Sequence, residues 1–508
     1  MIRLAIACCA MLIVVPVTTR AAGKTPQAPA CVVANGQSSA LSCAADITAP
    51  ATCLPYDLPS ADVFFSAPRR VFAHYFDIFP LSMDDLPAAQ DYYSQTWLVP
   101  LKANMWYANG GFLRSRPLPT TPSSAATYQV ANFETEVRAA IARGITGFMY
   151  DIGSTKEFAA GGNLLNMLTA AAAVDARFSI ALMVDHLNIA DVETVVKTLY
   201  ANPSVYRVSN KVVVAPYMAD SLPPAAWNQV KSDLANQGMP IYFLPTFLSI
   251  PQSILTEYAP VADGMGLFGT ALSTEGISES ANILNVHQAG KPYMSGISPQ
   301  GYRPKEFHYW ETDASLGYRS GWNAAIVQGA DWIQLTTWND FSETTQVAPY
   351  TNQLGYPGTG FYDLTGFYSA WFATQQQPTI RHDVLYYFYR RESVAAAAPN
   401  AGQPTVSAPT NVPGADIIEL VAFLTKPGTL LITIGTDTVS KAVDAGLQTL
   451  TAPLAPGQPQ FSLMRDGATR ISITGTPMIY GDSGLPNGFT DLTYWSGSGS
   501  SVASCSNQ

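Results

Sequence analysis

The segment Trp338-Asn339-Asp340-Phe341-Ser342-Glu343 places an indole, an amide and two carboxylates within six positions. Two carboxyls at i and i+3 suit acid/base work on a sugar. One can protonate a leaving oxygen while the other activates water. An isolated Asp-x-x-Glu is more often a helix-capping aspartate followed by a solvated glutamate. Position in the chain decides between these readings. Ala330 to Thr337, just before, reads as a buried strand of apolar and β-branched residues, and it is the last of a series.

The series runs Val71–Asp77, Ile145–Asp151, Phe178–Asp185, Lys211–Tyr217, Pro240–Thr246, Gly264–Gly269, Lys291–Ile297 and Asp331–Trp338. Helical patterns separate most of these runs, at Asn132–Arg143, Gly162–Val174, Ile189–Tyr200, Pro224–Gln237, Ser280–Ala289 and Gly317–Gln328. Strand and helix in alternation predict an α/β fold, a (β/α)8 TIM barrel with strands apolar on both faces. An open doubly wound sheet is the competing fold, but no glycine-rich dinucleotide loop follows the first strand. After Arg391 an Ala/Pro/Thr stretch leads to short alternating runs at Ile417–Leu424, Thr429–Ile434, Phe461–Met464 and Arg470–Gly475. These predict a C-terminal β-sandwich. The expected domains are a barrel over 66–391 and an accessory sandwich over 392–508 with a Ser/Gly-rich tail.

In such a barrel the strand exits converge on one mouth. Strand one exits through His74-Tyr75-Phe76-Asp77, strand two through Asp151, strand three through Asp185-His186, strand four through Tyr217 and strand eight through Trp338-Asn339-Asp340. Aspartate is a poor strand residue, and one or two could be helix caps. Four at one mouth, interleaved with Tyr and Trp, fit a carbohydrate cleft. Asp340 and Glu343 are therefore the candidate catalytic residues, and His74, Tyr75, Asp77, Asp151, Asp185, Tyr217, Trp338 and Asn339 the candidate substrate contacts. Glu275, Glu279, Glu306 and His308 are further candidates near the mouth. No Gly-x-Ser-x-Gly elbow, His-Glu-x-x-His pair or phosphate loop is present, and neither a metal nor another cofactor is expected.

Met1-Ile2-Arg3, an apolar run to Val17 and a small-residue exit near Ala21-Ala22 read as an export signal over 1–22. Residues 23–65 read as an irregular leader. Cys31, Cys43, Cys53 and Cys505 remain after removal of the signal, an even number that favours two disulfides in an exported chain. Three pairings are open. Net charge −10 with 13% charged residues and no basic cluster argues against nucleic acid or an anionic membrane as partner. A polysaccharide substrate and a secreted monomer are expected.

Four stretches carry a family resemblance: Val71-Phe72-Ala73-His74-Tyr75, Gly144-Ile145-Thr146-Gly147-Phe148, Lys291-Pro292-Tyr293-Met294-Ser295-Gly296-Ile297-Ser298-Pro299 and Thr337-Trp338-Asn339-Asp340-Phe341-Ser342-Glu343. Together they resemble glycoside hydrolase family 71, the α-1,3-glucanases or mutanases, and more distantly family 99, which acts on α-mannosides. The resemblance implies inverting hydrolysis of α-1,3-glucosidic bonds by Asp340 and Glu343, with Asp340 as base and Glu343 as acid or the reverse. Inversion requires the two carboxyls about 6.5–9.5 Å apart. Hydrolysis of another α-glycan (α-1,6-glucan or α-mannan) and a non-catalytic glycan-binding barrel are the alternatives. The family usually has Tyr-Gly-Glu-Ser where this chain has Phe341-Ser342-Glu343-Thr344, and Asn where it has Asp151. The stretch from Glu157 to Gly162 has no clear counterpart.

Overall fold

Parallel strands form where apolar, β-branched and aromatic residues cluster. They are β1 (Arg70–Tyr75), β2 (Gly147–Ile152), β3 (Ser179–Val184), β4 (Lys211–Val214), β5 (Ile241–Phe243), β6 (Thr246–Phe247), β7 (Met265–Leu267), β8 (Tyr293–Ile297) and, after the hairpin of β9 (Gly301–Arg303) and β10 (His308–Trp310), β11 (Trp332–Leu335). The computed structural model describes residues 54–98, 105–159, 162–352, 354–396, 406–408 and 412–501. The expected export signal, Cys31, Cys43, Cys53, Cys505 and the end of the Ser/Gly-rich tail lie outside the described residues.

The parallel strands pair in the order β4–β3–β2–β1–β11–β8–β7–β6, and β5 pairs with β4. The result is a mixed α/β unit built on a curled parallel sheet. Helices return the chain between strands, among them α1 (Tyr128–Ile141), α2 (Asn163–Val174), α3 (Ile189–Leu199), α4 (Pro224–Asn236), α5 (Gln252–Tyr258), α6 (Glu275–Gln288) and α7 (Leu316–Gln328). Local chemistry sets several ends. Asn188 accepts a hydrogen bond from the Asp191 amide at 3.0 Å to cap α3. Pro224 opens α4, where its missing N–H has no cost, and Gly329 closes α7 at φ +80°.

Side chains alternate strictly across the strands. Val71, Ala73, Tyr75, Phe148, Tyr150, Ile180 and Leu182 join Val137, Leu168 and Val195 of the helices in the main core. Phe72, Met149, Ala181, Met183, Val213, Leu244, Met294 and Trp332 pack on the other face, inside the curl.

Beyond α8 (Gly360–Thr374), two four-stranded antiparallel sheets follow. One runs β16–β13–β12–β19, from β12 (Val384–Tyr389), β13 (Ile417–Leu424), β16 (Gly446–Pro453) and β19 (Trp495–Ser500). The other runs β15–β14–β17–β18, from β14 (Gly428–Ile434), β15 (Asp437–Val443), β17 (Gln460–Arg465) and β18 (Ala468–Thr474). Their inner faces share a core of Leu385, Tyr387, Leu420, Ile432, Phe461 and Leu463. β12 lies upstream of residue 392, so this antiparallel region begins within the expected 66–391 segment. The reason is hydrogen bonding: Val384–Tyr389 pairs with β13 on one side and β19 on the other. Buried polar contacts weld this region to the parallel sheet. Glu311 accepts from Arg390 at 2.6 Å, the Tyr494 hydroxyl at 2.7 Å and the Ala415 amide at 2.8 Å, and Arg390 stacks on the Tyr494 ring.

α8 escapes a periodicity search because it is apolar almost all round and buried on nearly every side. Among the described residues no helix is long and apolar enough to cross a membrane.

Gly296, in β8, lies where the backbone of the neighbouring strand packs close. A Cβ there would lie 2.2 Å from the Leu267 carbonyl oxygen and 2.5 Å from the Gly269 amide nitrogen, both backbone atoms. Gly296→Ala is expected to destabilise the fold by about 1–3 kcal/mol. Chemical denaturation of the variant beside the parent measures this, and an unchanged midpoint would contradict the packing described.

Candidate active site

The chain leaves β11 at Thr336 and enters a turn that folds over the end of β1. The Trp338 amide donates to the His74 carbonyl at 2.7 Å. Asn339 Oδ1 accepts from the Phe76 amide at 2.7 Å, while its Nδ2 donates to the Phe76 and Phe79 carbonyls at 2.9 and 2.8 Å. These bonds fix Asp340 and Glu343 against the first strand. Asp340 is buried, and its Oδ1 accepts from the Ser342 amide (2.9 Å), the Ser342 hydroxyl (2.8 Å) and the Glu343 amide (3.1 Å). Burial, and then the charge of Glu343, push the Asp340 carboxyl up to about 6. Glu343 is more open, and its Oε1 pairs with the Arg303 guanidinium at 2.6 Å. Arg303 also pairs with Glu306 at 3.1 Å and stacks on the Trp310 indole, so the β9–β10 hairpin holds Glu343 from one side. The hairpin is itself bonded to the turn, the Tyr302 amide donating to the Glu343 carbonyl at 2.8 Å.

A second group of carboxylates gathers at the exits of β1, β2 and β3. His74, Asp151 and Asp185 have the parity of the inner strand face. His74 Nδ1 lies 3.0 Å from Met183 Sδ, and its Nε2 is 3.5 Å from Asp151 Oδ2. Asp151 Oδ1 is buried without a hydrogen-bond partner. Burial and then the Asp151 charge push Asp185 up to about 6. Asp77 is raised by burial, although hydrogen bonds from Tyr150 and Asn163 oppose this. Tyr217 packs edge-on against Phe268 at 4.9 Å, with the His186 ring nearby. The structure thus brings His74, Asp77, Asp151 and Asp185 into one neighbourhood and Asp340, Glu343, Arg303 and Lys305 into another. The exit of β1 lies between them.

Three expected substrate contacts do other work. Tyr75, Trp338 and Asn339 are at most 1% exposed, and their polar atoms bond within the fold. Tyr75 and Trp338 turn outward to α1, where the Tyr75 hydroxyl donates to Glu136 at 2.9 Å and the indole N–H donates at 3.3 Å. Glu275 and Glu279 are likewise enclosed, at 1% and 0% exposure, between α6 and the strands. Glu275 accepts from the Thr270 and Ser298 amides, and Glu279 from the Tyr293 and Ser295 hydroxyls.

Sequence reasoning missed Arg303, Glu157 and Glu136. Burial, then the charges of Asp77 and Asp151, push Glu157 up to about 8, so the stretch with no family counterpart supplies a member of the cluster. Glu136 looks like an ordinary helix carboxylate in the sequence. Only Arg303 left a usable trace, as a cation three residues from Glu306 on a loop facing two acids. Among the described residues no group of His, Cys, Asp or Glu has a metal-holding arrangement.

A model of glycosyl hydrolase family 71 matches residues 122–508, a span that takes in Asp340, Glu343 and both antiparallel sheets. The chain is 26% identical over 389 residues to the glucan endo-1,3-alpha-glucosidase agn1 of Schizosaccharomyces pombe, covering 69% of this chain and 88% of that protein. It is 26% identical over 303 residues to the mutanase Pc12g07500 of Penicillium rubens, covering 55% of this chain and 65% of the relative. Among solved structures, the GH99 endo-alpha-mannosidase of Bacteroides thetaiotaomicron aligns with a TM-score of 0.48 at 13% identity, over 60% of this chain and 99% of that one.

Folding stability is expected to fall as pH rises from about 5 to about 8. Burial pushes Glu136 up to about 8, Glu279 to about 7 and Asp340 to about 6. With Glu157 and Asp185 they bind protons more tightly folded than unfolded, so the native state holds the excess protons and the slope is negative. Asp263, Glu311 and Asp383 oppose this at low pH: burial raises them, but hydrogen bonds and the cations Lys231, Arg390 and Arg465 outweigh it. Melting temperature scanned from pH 3 to 8 should peak near pH 5, and Glu136→Gln should flatten its alkaline side. A melting temperature climbing steadily to pH 8 would refute this reading.

Proposed function

The chain belongs to glycosyl hydrolase family 71, and from that premise we propose that it hydrolyses α-1,3-glucan with inversion, using Asp340 and Glu343. The observation that carries the reading is the pair itself: two carboxyls three residues apart, one buried with an oxygen locked by three donors, the other at the rim. The names of the relatives, an endo-1,3-alpha-glucosidase and a mutanase, support the choice of glucan. Asp340 acts as general base. Its carboxyl, pushed up to about 6, can take a proton from water, and the bonds to Oδ1 fix its direction. Glu343 acts as general acid through Oε2, its Oε1 being held and oriented by the Arg303 guanidinium. His74, Asp77, Asp151, Asp185 and Tyr217 bind the hydroxyls of the sugar on the other side of the β1 exit.

The fold we propose is a closed (β/α)8 barrel followed by a β-sandwich. β5 and β6, separated only by Leu244 and Pro245, bond to β4 and β7 respectively, which supports their being two halves of one closing strand. The catalytic part is 66–391 and the accessory part 392–508, with β12 lent to the accessory sheets. Export through residues 1–22, two disulfides and a monomeric state complete the reading.

Asp340→Asn and Glu343→Gln should each lower kcat on α-1,3-glucan by about 10²–10⁴-fold with little change in melting temperature. A substrate with an activated aryl leaving group separates their roles, because it no longer needs protonation. It should restore turnover in Glu343→Gln and not in Asp340→Asn, and the opposite result would exchange the assignments. NMR of the first-formed anomer should show inversion. Absence of release from α-1,3-glucan, with release from α-1,6-glucan or α-mannan, would overturn the substrate.

A further inference from the structure

We propose that the groove between the β1 exit and the starts of α1 and α2 is a subsite for a glucosyl residue of the substrate chain beyond the bond being cleaved. This rests on the α-glucan reading above and extends it to a second place on the protein.

Each helix runs back antiparallel to its preceding strand, so helix starts share the strand-exit end of the sheet with the carboxylates. Tyr128 opens α1 and Asn163 opens α2, and the loop after β1 lines the same groove through Asp77, Pro80 and Ser82. Together they enclose a groove of about 460 Å³, lined by Asp77, Trp97, Tyr128, Gln129, Asn132 and Asn163 among others. That volume lies within the range of small-ligand sites, roughly 300–1,000 Å³.

The groove is joined to the carboxylate cluster. Asp77, on its wall, receives hydrogen bonds from Asn163 and Tyr150 and interacts with the Asp151 charge. Asp77 is thus common to the carboxylate cluster and to the groove wall.

The lining states the ligand class. Trp97 is held by edge contacts with Phe79, Tyr92, Tyr93 and Phe112. The Tyr128 ring is steadied by a hydrogen bond from its hydroxyl to the Met83 carbonyl. Gln129, Asn132, Asn163 and Ser82 supply neutral donors and acceptors, and no lysine or arginine lines the walls. Fixed aromatic rings with neutral amides suit an uncharged polyhydroxylated ring and suit an anion poorly. Asn132 Nδ2 is buried with no hydrogen-bond partner, a donor that a sugar hydroxyl would satisfy.

The test uses the full chain and α-1,3-glucan oligosaccharides of increasing length. For the parent, kcat/KM should rise with length until the groove is filled. The double variant Gln129→Ala/Asn132→Ala should lose about tenfold on the long oligosaccharides, with the loss shrinking towards the shortest one cleaved. Gln129→Trp, which fills the groove, should act the same way. An unchanged length profile in both variants, or an equal loss at every length with the melting temperature preserved, would overturn the subsite. Saturation-transfer NMR on Asp340→Asn tests binding without turnover: a long oligosaccharide should show contacts at its distal residues that vanish in Gln129→Trp. If the parent cleaves no α-1,3-glucan the substrate reading fails by itself, while the NMR contacts still decide the groove.

Discussion

The two-residue alternation of the parallel strands governs everything at the mouth of this protein. Neighbours along a strand face opposite sides, so the polar residues at each exit divide into two sets. His74, Asp151 and Asp185 fall on the inner face with Phe72, Met149 and Met183, where they meet each other and the space above the sheet. Tyr75 and Tyr150 fall on the outer face and spend their hydroxyls on Glu136 and Asp77. A one-residue slip of β1 would exchange His74 with Tyr75 and dismantle the site.

The turn carrying Asp340 and Glu343 depends on that frame. Leu335 ends β11, and the next residues are held by partners on β1, α1 and the β9–β10 hairpin. Asn339 serves as a clamp between the first and last strands, and Trp338 as an anchor in the core. Asp340 is therefore oriented by backbone and side-chain donors rather than by solvent, and low solvation is what raises its carboxyl. Burial raises Glu136 and Glu279 in the same way. Desolvation favours their neutral form, whereas Asp263, Glu311 and Asp383 are lowered by hydrogen bonds and by lysine or arginine partners that outweigh burial.

Much of the frame was legible in the sequence. All eight apolar runs contain parallel strand, although the fifth is divided between β5 and β6 and the fourth and eighth end three residues early, because buried strands must be apolar on both faces and are punctuated by aspartate and glycine. The aspartates at the exits were legible for the same reason. What escaped the sequence has physical causes. α8 lacks a polar face. β12 sits before a linker-like stretch, and only its pairing with β13 and β19 assigns it to the antiparallel sheets. Burial of Tyr75, Trp338 and Asn339 followed from turn geometry and from Glu136, which is 61 residues from Tyr75 and 202 from Trp338 in the chain.

Residue type and spacing alone determined the class of the chain: alternating strand and helix, acids at the strand ends, and a paired Asp340 and Glu343 within the span that the family 71 model matches. These depend on local periodicity and on short motifs, which a linear chain carries openly. Tertiary structure alone decided which of those polar groups meet open space, which support them, and which cation orients Glu343. Such choices are made by side-chain direction, burial and charge between segments far apart in sequence, and those quantities exist only once the strands have paired.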